Sequence, residues 1–263
     1  MPAEALLKIS REPSLKNPCL VVAWNCIGEV GIGVVTYLRD QLGAEEFGQI
    51  ELCDFFNIPV EVKNGLVEEL ELPRSRLYRW ENREGKDLIL CIAGQEPPLR
   101  RYEYANLLLD VAEQFEVERI YTVCAFPLLI THSAEPRVFG LVNDTELVKY
   151  LEQYHITVIK ERKLTSMNAL LLGLARKRGL QGIYLLSEVP SYSTQIANPK
   201  SCRAVLKILT AMLGVDIDID IAEFDRLIKQ SEEEMERIEK QASQAFLENF
   251  TIDYRDLFPR EDY

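Results

Sequence analysis

Residues 19–24, CLVVAW, contain no charged or amide side chain, and so short a run with paired valines reads as a strand covered on both faces. The turn Asn25-Cys26-Ile27-Gly28-Glu29-Val30-Gly31 follows it. Residues 32–42 then carry apolar side chains at helical spacing and stop at Gly43, a natural helix terminator. A strand, a turn and a helix in that order make the first half of a βαβ unit. The motif recurs down the chain. Residues 87–93 (DLILCIA), 119–125 (RIYTVCA) and 182–186 read as further buried strands. Residues 102–115, 144–154, 166–178 and 199–213 have helical periodicity, with Asn143 or Asp144 placed to cap the second and Pro199 suited to the first turn of the last. Strands alternating with helices predict an α/β domain with a mostly parallel central sheet.

The middle segment departs from that rhythm. Residues 47–56, 58–62 and 77–80 are rich in β-forming residues, and Lys63-Asn64-Gly65-Leu66 is a hairpin signal. An antiparallel excursion at one edge of the sheet is expected there. No composition break divides residues 15–220, which are expected to form one domain. After it, Ile221, Phe224, Ile228, Met235, Ile238, Ala242, Ala245 and Asn249 fall on alternating steps of three and four, interrupted by Ser231. That heptad pattern predicts a long C-terminal helix over 221–249. It packs along its own domain, packs against another subunit or stands free as a solvated arm, and residues 250–263 follow as a polar tail.

Charge narrows the partners. The chain of 263 residues has 30 Lys and Arg against 42 Asp and Glu, a formal charge of −12, which repels nucleic-acid phosphates and anionic lipid surfaces. No apolar run approaches the roughly 20 residues of a membrane span, and the first residues lack a secretory pattern. Six cysteines are scattered without a C-x-x-C pair, as in free thiols of a reducing compartment. A cytoplasmic protein that binds neither nucleic acid nor membrane is expected.

Candidate chemistry gathers at the strand ends. Gly28, Gly31 and Gly33 are spaced G-x-x-G-x-G, which matches neither the dinucleotide fingerprint nor a P-loop, and Glu29 puts a negative charge in the same turn. Close strand-to-helix packing accounts for these glycines; binding of a small ligand is the alternative. Glu29, Glu96 and Glu188 each follow an expected strand, and carboxyl ends of parallel strands border the usual ligand crevice. Gly28, Glu29, Gly31, Glu96, Ser187 and Glu188 are therefore the candidate ligand-binding set. Three converging acids would suit acid–base work or recognition of a cation, whereas separate ones would cap helices. Two histidines, His132 and His155, are too few for the usual zinc sites, and no nucleophile elbow occurs. No catalytic residue, metal ligand or cofactor is assigned. Phe224, Ile228, Met235 and Ile238 are the candidate interaction surface.

Several short stretches occur in a telling order: Leu42-Gly43-Ala44-Glu45, Gly94-Gln95-Glu96-Pro97, Leu171-Leu172-Gly173-Leu174, Gly179-Leu180-Gln181-Gly182, residues 185–192 (LLSEVPSY) and Leu213-Gly214-Val215-Asp216. With the Gly28 and Gly31 loop, their order over residues 15–230 resembles the family of the second proteasome assembly chaperone and its archaeal and bacterial relatives. The resemblance implies a three-layer α/β/α fold of phosphorylase- or hydrolase-like type, self-association, and a chaperone or adaptor role rather than catalysis. This chain has Asn198-Pro199-Lys200-Ser201-Cys202 where the family often has Asp-Pro and two alanines, and Cys124-Ala125-Phe126 where it often has paired glycines. Family members that dock on the proteasome resemble one another in a terminal hydrophobic–Tyr–any tripeptide, whereas this sequence ends Glu261-Asp262-Tyr263. Proteasome docking through that terminus is not expected. The expected function is a non-catalytic, homo-oligomeric adaptor for other protein subunits. The alternative is a protein that binds or converts a nucleoside or phosphate ester at the strand-end crevice.

Overall fold

Every residue from Cys19 to Trp24 is buried, and successive side chains go to opposite sides. Cys19, Val21 and Ala23 enter one apolar core, while Leu20, Val22 and Trp24 enter another. A strand lying between two cores needs helices on both faces of its sheet. The computed structural model describes residues 6–83 and 85–250. In chain order the elements are β1 (Leu7–Ile9), β2 (Cys19–Ala23), α1 (Val30–Leu42), β3 (Glu45–Glu51), β4 (Val62–Lys63), β5 (Leu66–Val67), β6 (Arg74–Trp80), β7 (Leu88–Ile92) and α2 (Arg101–Gln114). They continue with β8 (Arg119–Leu128), β9 (Val138–Val142), α3 (Glu146–Gln153), β10 (Thr157–Val158), α4 (Met167–Lys177), β11 (Gln181–Pro190), α5 (Pro199–Leu213) and α6 (Ile221–Phe250).

Nine strands form one sheet in the order β1-β3-β6-β7-β2-β8-β11-β9-β10, and β4 with β5 forms a separate ribbon. The central β7, β2, β8 and β11 are parallel. On one side β6, β3 and β1 continue antiparallel, which is the expected edge excursion. On the other, β9 is antiparallel to β11, and β10 is parallel to β9. The sheet is thus parallel at its centre and mixed at its flanks. α1, α3, α5 and the start of α6 cover one face, and α2 with α4 covers the other. The fold is a three-layer α/β/α sandwich.

Differences from the sequence reading lie at the edges. β1 precedes residue 15 and gains its place only by pairing Leu7 with Ile50 of β3. β9 and β10, read from sequence as connection, are short strands placed by β11. β11 continues past Leu186 to Pro190 because its parallel pairing with β8 runs unbroken to Leu128. Asn143 does not cap α3: its Nδ2 donates to Leu172 O (3.2 Å) and Leu180 O (2.9 Å), and its Oδ1 accepts from Gly182 N (2.8 Å). Asp144 Oδ1 instead accepts from Glu146 N at 3.0 Å, at the start of that helix.

α6 packs in cis. Phe224 and Ile228 enter the core under α5, with the Phe224 ring 5.1 Å from that of Tyr37. Ser231, the polar break in the heptads, is buried, and its hydroxyl donates to Ile228 O at 2.9 Å, so the position is satisfied without an apolar side chain. Ala242, Ala245, Asn249 and the tail 250–263 lie outside the residues whose side chains are described.

Gly31 lies at a close approach of helix to sheet. A Cβ at that position would lie 2.6 Å from Val123 O and 3.1 Å from Trp24 O, both backbone atoms fixed in or beside the central strands. Gly31→Ala is therefore expected to lower stability by about 1–3 kcal/mol, read as a lower urea midpoint at unchanged slope. An unaltered midpoint would show that α1 has room to move outward.

Candidate functional site

The loop after β2 is packed rather than open. Gly28 has φ +63°, its N–H donates to Thr194 O at 3.0 Å, and its carbonyl accepts from Asn198 N at 2.8 Å. A Cβ there would come within 3.2 Å of Asn198 Cβ. Gly28 and Gly31 thus serve contact between the first turn, the 194–198 loop and the sheet. Glu29 is exposed, and its N–H closes the turn onto Cys26 O at 2.9 Å.

The other two acids each have a structural partner. Glu96 Oε1 accepts from Met167 N at 3.1 Å, and its Oε2 accepts from Arg101 Nη2 at 3.1 Å. A carboxylate at the first turn of α4 satisfies an orphan N–H and complements the positive end of the helix, beside the Ser166 cap that accepts from Ala169 N. Glu188 is 2% exposed. Its Oε2 accepts from Arg137 N at 2.9 Å, and its Oε1 accepts from Arg137 Nε at 2.9 Å and Nη2 at 2.5 Å. The Arg137 guanidinium also lies 5.2 Å over the Phe139 ring, and its hydrogen bonds and charge contact with Glu188 raise its pKa above the ordinary arginine value. Ser201 Oγ donates to Glu188 O at 2.6 Å. Ser187 is wholly buried beside it, with no hydrogen-bond partner for its hydroxyl among the described residues.

The three acids do not act as one set. β8 lies between β2 and β11, Glu188 sits within its strand rather than beyond it, and half-buried Glu96 and buried Glu188 each accept from donors of their own. Among the described residues no group of three or more His, Cys, Asp or Glu is arranged to hold a metal ion.

The heptad residues have an inward role. Phe224, Ile228 and Met235 are buried by their own chain, and Ile238 is half-buried. Ion pairs of Arg203 with Asp225 (2.7 Å) and of Lys200 with Glu232 hold the helix further. His132 Nδ1 meets Tyr192 OH at 2.8 Å and Glu239 Oε2 at 3.4 Å, tying the same helix to two strand-end loops. Burial raises the Tyr192 pKa above its ordinary value. These apolar side chains are accordingly covered by the subunit itself.

The outward-facing apolar surface lies elsewhere, on residues 60–72 between β3 and β6. Asn64 (φ 53°) and Gly65 (φ 82°) make the expected hairpin turn joining β4 and β5. Val60, Val62, Leu66, Val67, Leu70 and Leu72 are each between 47% and 72% exposed. A cleft of about 1160 Å³ separates this arm from the sheet, with Arg39, Arg74 and Arg76 among its lining and Glu61, Glu68 and Glu71 on the arm side. The sequence shows the hairpin but not its exposure, because alternating apolar residues look the same whether a core or solvent lies beneath. Cys26, in the turn after β2, packs against the cluster of Cys124, midway along β8, and sequence spacing does not single out either.

The PAC2 family model matches residues 20–242 of the chain. Among similar solved structures, Pyrococcus furiosus PbaB, described as an archaeal proteasome activator, has a TM-score of 0.75 at 27% identity, covering 89% of this chain and 98% of that one. Pyrococcus furiosus PbaA, an archaeal homologue of proteasome-assembly chaperone, has a TM-score of 0.67 at 20% identity, covering 90% and 98%. The Mycobacterium tuberculosis proteasome-assembly chaperone homologue Rv2125 has a TM-score of 0.68 at 18% identity, covering 90% and 97%. The last two share the fold. No curated protein matches the chain.

Removing Arg137 leaves the Glu188 carboxylate buried without its charged partner. Arg137→Ala is expected to lower the urea midpoint, and adding Glu188→Gln to that variant to restore part of the loss. Absence of any rescue would show that the buried charge is not what Arg137 stabilises.

Proposed function

The chain belongs to the PAC2 family, and from that membership we propose that it is a non-catalytic adaptor of the assembly-chaperone type, acting as a homo-oligomer on other protein subunits in the cytoplasm. Proteasome subunits are the first partners to test, since PbaB is named a proteasome activator and PbaA and Rv2125 are named homologues of a proteasome-assembly chaperone. The observation that carries the reading is the arm, whose six apolar side chains at residues 60–72 are each about half or more exposed. Burying one such side chain is worth roughly 1.5–3 kcal/mol, so several together outweigh an ordering cost of several kcal/mol. Contiguous exposed apolar side chains of this kind mark interaction surfaces. The net charge of −12 disfavours nucleic acid, and among the described residues no helix is long and apolar enough to cross a membrane. The terminal tripeptide 261–263 lies outside the described residues, and the proposal places the contacts on the arm. The acids of the strand-end crevice, engaged as they are, favour no second reading.

Native mass spectrometry of the full chain is expected to give one discrete oligomer, and Val62→Asp with Leu66→Asp to shift it to a smaller species. A wild-type monomer would defeat the self-association. An unchanged mass in the double variant would remove the arm from it. Immobilised wild-type protein is expected to retain purified proteasome subunits that the double variant releases, and equal retention by both would place that contact elsewhere.

A further inference from the structure

The six cysteines are free thiols in unlike surroundings. Burial pushes the Cys19 pKa up to about 11 and those of Cys91 and Cys202 up to about 12, which keeps these thiols protonated and inert. Cys26 differs. It is half-buried at the turn leaving β2, just before α1, and its Sγ accepts the Gly31 N–H at 3.3 Å. Cys124, on the adjacent parallel strand one residue beyond the pairing of Ala23 with Val123, belongs to the apolar cluster against which Cys26 packs. Cys124 itself is buried, with its Sγ 3.3 Å from Ala125 O. Hydrogen bonds from Cys124 first, and then from the backbone at Gly31 and Ala125, lower the Cys26 pKa against the opposing effects of burial and of Glu96. The same contact with Cys26 raises the Cys124 pKa far above the thiol range, as does burial. A sulfur that receives donors at the start of a helix has the surroundings of a reactive thiolate, and its neighbour retains the proton.

We propose that Cys26 is a peroxide-oxidation site and that Cys124 resolves it to an intramolecular disulfide. The Cys26 thiolate attacks one oxygen of hydrogen peroxide; an S–O bond forms, the O–O bond breaks, and the departing hydroxide takes up the proton that Cys26 released to solvent on ionising. Sulfur is oxidised to the sulfenic acid and peroxide is reduced to water. Forming the neutral sulfenic acid removes the Cys26 charge that holds the Cys124 proton; Cys124 then attacks the Cys26 sulfur, an S–S bond forms and the S–O bond breaks. The Cys124 proton leaves with the hydroxyl as a second water. Two thiols and one peroxide thus give one disulfide and two waters. Half-burial admits a small oxidant to Cys26, and adjacency of β2 and β8 requires no strand to leave the sheet for the second step. The site is independent of the adaptor reading and of the arm.

The test uses the reduced full chain, oxidised with one equivalent of hydrogen peroxide, capped with iodoacetamide and mapped by peptide mass. A peptide pair joining Cys26 to Cys124 is expected, and in Cys124→Ala the sulfenic acid on Cys26 is expected to be trapped by dimedone. In the reduced wild type, iodoacetamide at about pH 7 is expected to modify Cys26 roughly tenfold faster than the half-buried Cys53, with the ratio shrinking as pH rises. No cross-link, a link from Cys26 to Cys202 instead, or equal rates at Cys26 and Cys53 would each overturn the assignment. The wild-type measurements stand by themselves if the alanine variant fails to fold.

Discussion

A strand covered on both faces has no side chain it can turn to water, and β7, β2, β8 and β11 are all close to that condition. From Leu88 to Cys91 and from Cys19 to Ala23 every residue is buried, with odd and even positions of β2 feeding separate cores. At roughly 1.5–3 kcal/mol for each aliphatic side chain removed from water, this block holds the largest concentration of apolar burial in the fold. Parallel pairing aligns the carboxyl ends of the four strands, so the loops that leave them crowd together at one end. That crowding governs what those loops can do. Gly28 and Gly31 permit backbone contact, Glu96 anchors α4, and Glu188 anchors Arg137. An architecture whose strand ends usually border a ligand crevice here uses its acids to hold its own helices and loops.

Interaction capacity is accordingly displaced to the periphery. The arm between the antiparallel strands β3 and β6 carries apolar side chains that are about half or more exposed. Glu61, Glu68, Glu69 and Glu71 are interleaved with those side chains, so indiscriminate association is opposed by repulsion between like arms. A partner surface that matches both the apolar and the acidic residues escapes that penalty. α6, whose heptads resemble those of an intersubunit helix, is instead fastened to α5 and to the loop at His132. An apolar stripe and its exposure are separate properties. A stripe on a terminal helix covers whichever apolar surface is nearest, and here that surface is in the same chain.

Much of the layered core was legible in the residues themselves. Runs such as CLVVAW and DLILCIA are too short and too apolar to be anything but buried strands, and helical spacing located α1, α2, α4, α5 and α6. These signals are local, since side-chain period follows directly from backbone geometry. The short strands β1, β9 and β10 left no such trace. β9, VFGLV, is broken by Gly140, and each of the three is held by hydrogen bonds to a strand distant in sequence.

By itself the sequence determined the class of fold, the alternation of central strands and helices, the hairpin at Asn64-Gly65 and the overall negative charge. Tertiary structure alone decided which acids meet, which apolar stripe faces water and which cysteines touch. Glu29, Glu96 and Glu188 looked equivalent as residues at strand ends, yet one is exposed, one caps a helix and one is buried against Arg137. Cys26 accepts a hydrogen bond from Gly31, five residues on, and packs against the cluster that holds Cys124, on a strand nearly a hundred residues away. Periodicity encodes which side of an element is dry, but the reactivity of a polar group depends on its neighbours in space, and those are set only when strands far apart in the chain are brought side by side.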